Sequence, residues 1–317
     1  MIFLKKFIVD GHIDTLFRII NEKLNFFKND NSLQANFDRL ITGNIGLAVF
    51  AIFFEDNKWD NNYLQQTIKY IDLFYSIINS TKKMKIIKKY QDILTVSYKN
   101  KIGAILSLEG GKAIYDLSTL NIFYKLGVRL ITLTWNYRNK IADGIKERNA
   151  NGGLTEFGEK VVKRMNQLGI IVDVSHLCPA SFWDVIEICN KPIVASHSNA
   201  KAICNHPRNL TDKQIKAIAH KNGLIGINFY PHFLNNSKNA NVNDIIKHID
   251  YIKQLVGINY IGLGTDYDGI TNTPRDFDNI SKIPLLQKHL LKHGYNVNQI
   301  NKILQKNWLR VYHDILG

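Results

Sequence analysis

The chain has few cysteines and no long apolar run, and both absences limit what kind of protein it is. Its 317 residues include three cysteines, Cys178, Cys189 and Cys204, with no CxxC pair. An odd number of scattered cysteines argues against a disulfide framework and favours a reducing compartment. No apolar stretch approaches the roughly 20 residues that cross a bilayer, and residues 1–6 lack the apolar segment of a signal peptide. We therefore expect a cytoplasmic protein with no membrane association.

Charge is the second unusual feature of the composition. The chain has 41 Lys and Arg against 27 Asp and Glu, a formal net charge of +14. Such an excess is typical of nucleic-acid-binding proteins when the basic residues cluster into one patch. Here the lysines are scattered through predicted helices, as at Lys82, Lys83, Lys88, Lys89 and Lys282. We interpret the charge as a solvated surface and expect no nucleic-acid partner.

Eight apolar segments alternate with helical patterns along the whole chain. The predicted strands lie near residues 7–9, 45–54, 102–108, 128–133, 170–174, 193–195, 224–229 and 260–263. The predicted helices lie near residues 63–78, 117–126, 155–168, 179–188, 212–220, 243–256, 283–292 and 296–315. Buried strands that alternate with helices form a parallel sheet covered on both faces, and eight of them close a barrel. The sequence predicts one α/β domain over residues 1–317, a (β/α)8 TIM-like barrel with extra C-terminal helices.

Polar residues follow these predicted strands where each strand ends. In such barrels the active site lies at the C-terminal ends of the strands. Five of those ends carry three histidines and three carboxylates, namely His12, Asp14, Glu109, His176, His197 and Asp266. Each one alone has an ordinary explanation as a turn residue or a hydrogen-bonded loop residue. Their coincidence in one predicted barrel favours a metal-dependent hydrolase.

The residue types match the needs of two borderline divalent ions. Three imidazoles and two carboxylates suit such a pair and leave one carboxylate to spare. His12 and Asp14 are two residues apart at a strand end, so they are expected to face the same way. Glu109 is the natural bridge, because one carboxylate can hold two metals about 3.5–4 Å apart. Cys178, two residues after His176, is weighed as a further ligand or nucleophile, but a small residue at a helix start explains it as well.

The motifs around these residues resemble those of the membrane (renal) dipeptidase family, a zinc peptidase family of the amidohydrolase-like barrels. The matching stretches run in family order from residue 9 to 269 and read VDGHIDT, LSLEGGKAI, GVRLITLTWNYRN, IIVDVSHL, PIVASHSNAKAICNHPRNLTD and IGLGTDYDG; the tail NWLRVYHDIL also matches. The resemblance implies that His12, Asp14 and Glu109 hold one zinc ion. It implies that Glu109, His176 and His197 hold a second.

Further roles also come from the resemblance. Asp266 matches the family's acid/base carboxylate, which handles the proton of the attacking water and later that of the leaving amine. Arg208 matches the arginine that binds the C-terminal carboxylate of the substrate, a task that suits a bidentate guanidinium. Tyr230 matches a position that contacts the substrate.

The chain departs from the family pattern after its fourth predicted strand. Mammalian members have a histidine there that polarises the scissile carbonyl, whereas this chain has Trp135. An indole donates one hydrogen bond and cannot become a cation. Stabilisation of the oxyanion then falls to a zinc ion, to Asn136, or to Tyr137 or Arg138 turned inward.

We therefore predict a dizinc metallo-dipeptidase that hydrolyses dipeptides with a free C-terminal carboxylate and tolerates a D-residue at that position. The sequence leaves two questions open: whether another divalent ion replaces zinc, and whether the protein is a homodimer. One alternative is a dizinc hydrolase of the same barrel that acts on another amide, a lactone or an ester, although Arg208 favours a carboxylated substrate. A second alternative is a catalytically inactive basic binding protein. The complete set of ligand residues counts against it.

Overall fold

A parallel β-barrel forms the centre of the computed structural model, which describes residues 6–55, 62–237 and 239–317. Its strands are β1 (Ile8–Ile13), β2 (Ile45–Phe53), β3 (Met84–Ile86), β4 (Ile102–Glu109), β5 (Val128–Thr132), β6 (Ile171–Asp173), β7 (Ile193–Ala195), β8 (Leu224–Ile227) and β9 (Ile261–Leu263). They form one sheet in the order β2-β1-β9-β8-β7-β6-β5-β4-β3. A parallel pairing of β2 with β4 closes the barrel, so the predicted (β/α)8 fold class is confirmed.

The eight predicted strands correspond to the eight strands of the barrel, and β3 is an addition that the sequence did not indicate. β3 pairs with residues 102–104 of β4, whereas β5 pairs with residues 106–109 of the same strand. The extra strand therefore lies beside the N-terminal part of β4 and is not one of the eight strands of the closed barrel. With three residues, β3 is too short to show an apolar period.

Helices cover the outside of the barrel. They are α1 (Thr15–Glu22), α2 (Phe37–Thr42), α3 (Tyr63–Asn79), α4 (Tyr90–Tyr98), α5 (Leu117–Lys125), α6 (Glu156–Leu168), α7 (Pro179–Ile188), α8 (Asp212–His220), α9 (Pro231–Leu234), α10 (Val242–Val256), α11 (Ile283–Lys292), α12 (Val297–Asn301) and α13 (Asn307–Leu316). The prediction missed α1, α2, α4 and α9. A π-helical stretch, Lys302–Lys306, joins α12 to α13, so the predicted helix over residues 296–315 is one segment with an irregular middle.

The N-terminal end of the barrel is closed by α13. Inward-facing side chains of the strands, among them Val9, Leu130 and Leu224, share one buried cluster with Trp308 and Tyr312 of α13. The indole Nε1 of Trp308 donates a 2.9 Å hydrogen bond to the carbonyl of Leu263. Because this end is filled, the cavity of the barrel opens at the opposite end, where the strands finish. None of the helices in the described ranges is long and apolar enough to cross a bilayer.

Candidate metal centre

The six polar residues predicted from the strand ends converge at the open mouth of the barrel. His12 lies within β1, Asp14 directly before α1, and Glu109 at the last position of β4. The other three follow the ends of β6, β7 and β9 by two or three residues: His176, His197 and Asp266. Their ligating atoms form three overlapping groups within 4.8 Å, made of His12, Asp14 and Glu109, of Glu109, His176 and His197, and of His12, His197 and Asp266.

Glu109 lies between two halves of this cluster. Its Oε1 is 3.0 Å from Nε2 of His176 and 3.4 Å from Nε2 of His197. Its Oε2 faces the other way, 3.6 Å from Nε2 of His12. On the same side, Nε2 of His12 is 3.4 Å from Oδ2 of Asp14. Each carboxylate oxygen thus has its own set of neighbours, which is the arrangement of a bridging ligand.

Unpartnered atoms show that the cluster suits a cation. Both ring nitrogens of His12 and Oδ1 of Asp14 are buried, and among the described residues none of these atoms has a hydrogen-bond partner. Buried polar atoms without partners are costly, so such atoms point to a bound group. Imidazoles and carboxylates around one point are ligands for zinc or a similar divalent ion. The residues present therefore fit the metal that the sequence predicts.

Neighbouring side chains orient two of the imidazoles. Ser196 Oγ donates to Oδ2 of Asp173 at 2.6 Å and lies 2.8 Å from Nδ1 of His197. A hydroxyl that donates to the carboxylate accepts from Nδ1–H, which leaves the Nε2 lone pair of His197 facing the centre. Asn136 Oδ1, 2.9 Å from Nδ1 of His176, fixes that ring in the same tautomer. Such partners typically set the orientation and basicity of metal-binding histidines.

Electrostatics give Glu109, His176 and His197 the protonation states that metal ligands need. Burial by itself would raise the pKa of Glu109, but the charge of His12 and hydrogen bonds from His176 and His197 hold it well below its usual value. Burial lowers the pKa of His176 to about 4, and that of His197 also to about 4. The pKa of His12 is raised well above its usual value, because Asp14 and Glu109 outweigh the effect of burial. The cluster thus favours a positive charge next to His12.

The backbone takes an unusual conformation at two of these residues. His176 and Asp266 have φ angles of 68° and 66°, in the left-handed region that few side chains other than Asn, Asp and His adopt readily. Backbone hydrogen bonds hold both turns: the N–H of Asp266 donates to the carbonyl of His12, and the N–H of Ile145 donates to that of His176. Such conformations cluster at functional sites.

A cavity of about 810 Å³ opens beside the cluster, and the four predicted substrate-binding residues line it: Trp135, Asn136, Arg208 and Tyr230. Arg208 is 7% exposed. Its Nη2 donates to the carbonyl of His197 at 3.2 Å, while its Nε has no partner among the described residues. Burial lowers the pKa of Arg208 to about 10, partly opposed by Asp266 and Glu109, so the guanidinium stays charged at neutral pH.

The structure shows what Arg138, Tyr137 and Cys178 contact. The guanidinium of Arg138 binds both carboxylate oxygens of Asp143, and Tyr137 accepts a 2.7 Å hydrogen bond from Lys146 Nζ. These side chains are thus engaged elsewhere and do not line the cavity, so neither is turned inward in this structure. Cys178 is the N-cap of α7, and its Sγ accepts from the backbone N–H of Ser181 at 3.5 Å. It is a helix cap.

Two important neighbours were missed by the sequence analysis. Asn228 Nδ2 donates a 2.8 Å hydrogen bond to Oδ2 of Asp266. Asp173 anchors Ser196 and also accepts from Thr132 Oγ1 at 2.6 Å. Asn228 directly follows β8 and Asp173 ends β6, so the strand-end criterion that found the ligands applies to both.

Known proteins are similar to this chain in sequence and in fold. A family model described as membrane dipeptidase, peptidase family M19, matches residues 2–316. Dipeptidase aclJ of Aspergillus oryzae is 30% identical over 295 residues, 89% of this chain and 70% of that protein. Dipeptidase 3 of Mus musculus is 28% identical over 320 residues, 97% of this chain and 64% of that protein. The chain therefore spans slightly less than two thirds of the mouse relative.

A solved structure also superposes over nearly its whole length. It is the crystal structure of a metallopeptidase from Rhodobacter sphaeroides, bound to a phosphinate mimic of the dipeptide L-Ala-D-Ala. The TM-score is 0.92 at 25% sequence identity, with 98% of this chain and 99% of that chain covered. The resemblance found in the sequence motifs thus extends to the complete barrel.

Proposed function

Because the chain belongs to the membrane dipeptidase family, peptidase family M19, we propose that it is a dizinc dipeptidase acting on dipeptides with a free C-terminal carboxylate. Family membership confirms the predicted enzyme class, a metallopeptidase. The observation that carries the proposed substrate is the position of Arg208. A buried guanidinium with an unpartnered Nε shares one cavity with the ligand cluster. A carboxylated substrate gives this charge a partner.

The proposal of two metal ions rests on Glu109. Its two oxygens face different imidazoles, which supports one site formed with His12 and Asp14 and another formed with His176 and His197. Bound ions of this kind polarise a carbonyl and make a water molecule acidic enough to attack near neutral pH.

Asp266 is proposed to move the protons. Its Oδ2 is anchored by Asn228, and its Oδ1 lies 3.9 Å from Nε2 of His12 at the edge of the cluster. One oxygen is therefore held in place while the other remains available. From this position the carboxylate accepts a proton from the attacking water and delivers it to the departing amine.

The cavity wall supports a proposal on substrate shape. Trp135 stacks edge-on against Phe53, with ring centroids 5.1 Å apart. Tyr230 stacks on His232 at 4.7 Å. Phe53, Trp135 and Tyr230 give the main cavity apolar sides beside Arg208 and the ligands, where a small peptide fits. The mimic of L-Ala-D-Ala in the Rhodobacter sphaeroides metallopeptidase supports tolerance of a D-residue at the C-terminal position.

The test combines metal analysis with a substrate panel. Purified protein is analysed for zinc and other divalent metals, then assayed with L,L- and L,D-dipeptides, their C-terminally amidated forms, a lactone and an ester. We expect about two metal ions per chain, hydrolysis of both dipeptide series and poor hydrolysis of the amides. Faster turnover of the lactone or ester than of any dipeptide would contradict the proposed substrate class.

Two further predictions belong to the same proposal. The three cysteines are free and buried, which supports a reducing, cytoplasmic location. Fractionation of the native cells tests this. Light scattering of the purified protein tests the homodimer.

A further inference from the structure

A second, smaller cavity lies next to the main one, and Arg208 lines both. It encloses about 110 Å³. Five residues line both cavities, namely Ile145, Arg148, His176, Pro207 and Arg208. The smaller cavity is thus a side chamber of the candidate active site, and the guanidinium of Arg208 stands where the two meet.

The side chamber differs from the main cavity in its charge. Asp14, Glu109 and Asp266 are among the carboxylates that line the main cavity. The wall of the side chamber includes Arg148, Lys201 and Arg208 and, within the described residues, no carboxylate. Cations that face one partly enclosed space with no carboxylate in its wall favour an anionic occupant.

Several polar groups of this wall also have no partner. Ser198 is 1% exposed, and in the described part of the chain its Oγ has no hydrogen-bond partner. Nε of Arg208 also has no partner among the described residues, but the main-chain carboxylate of the substrate would supply one. Lys201 is partly buried, yet the described residues provide no carboxylate within ion-pair distance of it. Buried hydroxyls and guanidinium nitrogens without partners are expected where a ligand supplies the missing acceptor.

We propose that this side chamber binds the side-chain carboxylate of an acidic residue at the C-terminal position of the dipeptide. The inference rests on the proposed dipeptidase function and names a substrate class for it. If Arg208 holds the main-chain carboxylate, the side chain on the same Cα lies beside that guanidinium, at the entrance of the chamber. Lys201 and Ser198 then meet the second carboxylate.

The size of the chamber agrees with this occupant. A protein cavity of about 150 Å³ can bind benzene, which has six non-hydrogen atoms, so a cavity of about 110 Å³ has room for roughly four or five. The side chain of aspartate has four such atoms beyond Cα and that of glutamate has five. A large aromatic side chain does not fit, and a methyl group leaves the cations without a partner.

The test measures discrimination between isosteric peptides. The wild-type enzyme is assayed with Ala-Asp against Ala-Asn and with Ala-Glu against Ala-Gln, with the C-terminal residue in both L and D forms. A charge-assisted hydrogen bond in a partly buried site contributes about 1.5–3 kcal/mol, so we expect kcat/KM to favour the acidic peptide by about 10- to 100-fold. Lys201→Gln should reduce this ratio about tenfold, and Lys201→Glu should reverse it.

Lys213→Gln is the matched control, because Lys213 is an exposed lysine of α8 and does not line the chamber. It removes the same charge and should leave the ratio unchanged. Arg148→Gln is a second variant should Lys201→Gln fold poorly, which circular dichroism detects. A ratio near one in the wild type would overturn the proposal. So would equal losses on acidic and neutral peptides in Lys201→Gln, since they would assign the chamber to the main-chain carboxylate.

A binding measurement separates this inference from the proposed function. Calorimetric affinities of Ala-Glu and Ala-Gln for the Asp266→Asn variant give the same ratio without turnover. A wild-type enzyme that hydrolyses no dipeptide, together with retained discrimination in binding, would contradict the dipeptidase and keep the acidic side-chain site. Hydrolysis of dipeptides without discrimination between acidic and neutral peptides would keep the dipeptidase and contradict the acidic side-chain site.

Discussion

Ser196 Oγ donates a 2.6 Å hydrogen bond to Oδ2 of Asp173, and both side chains are buried beneath the candidate metal centre. The same hydroxyl lies 2.8 Å from Nδ1 of His197. The pair therefore connects a buried carboxylate to one of the imidazoles that face Glu109. Loss of such a neighbour typically costs 10- to 100-fold in metal affinity or activity.

The first prediction concerns this connection. Ser196→Ala should weaken metal binding by about 10- to 100-fold, because the ring of His197 loses the partner that fixes its tautomer. Titration of the metal-free protein against a chelating dye measures the affinity. Thr132→Val is the control: Thr132 donates to the same oxygen of Asp173 without touching His197. Equal losses of metal affinity in Ser196→Ala and Thr132→Val would show that Asp173 affects metal binding through the stability of the fold and not through the ring of His197.

Glu109→Gln tests the bridge. The amide carries no charge and has one oxygen instead of two, so both metal sites should weaken together. Elemental analysis after gel filtration should show metal content reduced well below that of the wild type. Glu22→Gln is the control, since Glu22 also lines the main cavity but pairs with Arg18 at its rim. Full occupancy with wild-type activity in Glu109→Gln would remove this residue as the bridging ligand.

Arg208→Ala tests recognition of the C-terminal carboxylate. Removing a buried charge from its partner costs about 2–5 kcal/mol, so kcat/KM for free dipeptides should fall by roughly 30- to 5,000-fold. Amidated dipeptides lack the carboxylate and should lose far less. Kinetics on each matched pair of peptides measure the difference. The same loss for both members of a pair would mean that Arg208 does not bind this carboxylate.

Asp266→Asn separates proton transfer from metal binding. The structure makes this distinction necessary, because Asp266 also forms a cluster of metal-binding geometry with His12 and His197. Asparagine has nearly the same shape but cannot take up a proton. We expect kcat to fall by about 10²–10⁴-fold while the metal content stays unchanged. A variant that loses a metal ion would identify Asp266 as a ligand.

A buried histidine far along the chain predicts a pH dependence of stability. The Nδ1 of His248 accepts from the N–H of Ala200 at 3.1 Å, and Nε2 donates to the carbonyl of Leu234 at 3.0 Å. Burial lowers the pKa of His248 to about 4, below the value of about 6.5 in an unfolded chain. Between these values the unfolded state binds the extra proton, so stability is lost as the pH falls from 6.5 towards 4.

The size of this effect can be measured by difference. From pH 7.5 to pH 5 the His248 contribution to the free energy of unfolding should fall by about 2 kcal/mol. Urea unfolding of metal-free wild type and His248→Gln at both pH values isolates it, because all other histidines are common to the two proteins. If the wild type loses no more free energy of unfolding between pH 7.5 and pH 5 than His248→Gln does, the pH dependence does not come from His248.

Much of the fold could be read from periodicity. The strand at residues 193–195 and the helices at residues 179–188, 212–220 and 283–292 have the bounds predicted from their apolar patterns. The prediction missed α1, α2, α4 and α9, which are helices of nine residues or fewer. In segments this short, tertiary contacts and end effects outweigh a helical pattern.

The sequence by itself determined that three imidazoles and three carboxylates stand at strand ends, because the parallel strands of a barrel all finish at one mouth. It also supplied the family motifs. Tertiary structure alone decided which atoms face each other: that Glu109 turns one oxygen to His176 and the other to His12, and that Arg138 pairs with Asp143 instead of entering the cavity. It also decided that Lys201 lies beside Arg208 in a chamber without a carboxylate among the described residues. Such relations depend on side-chain directions and on distances across the barrel, and the spacing of residues along a chain does not contain them.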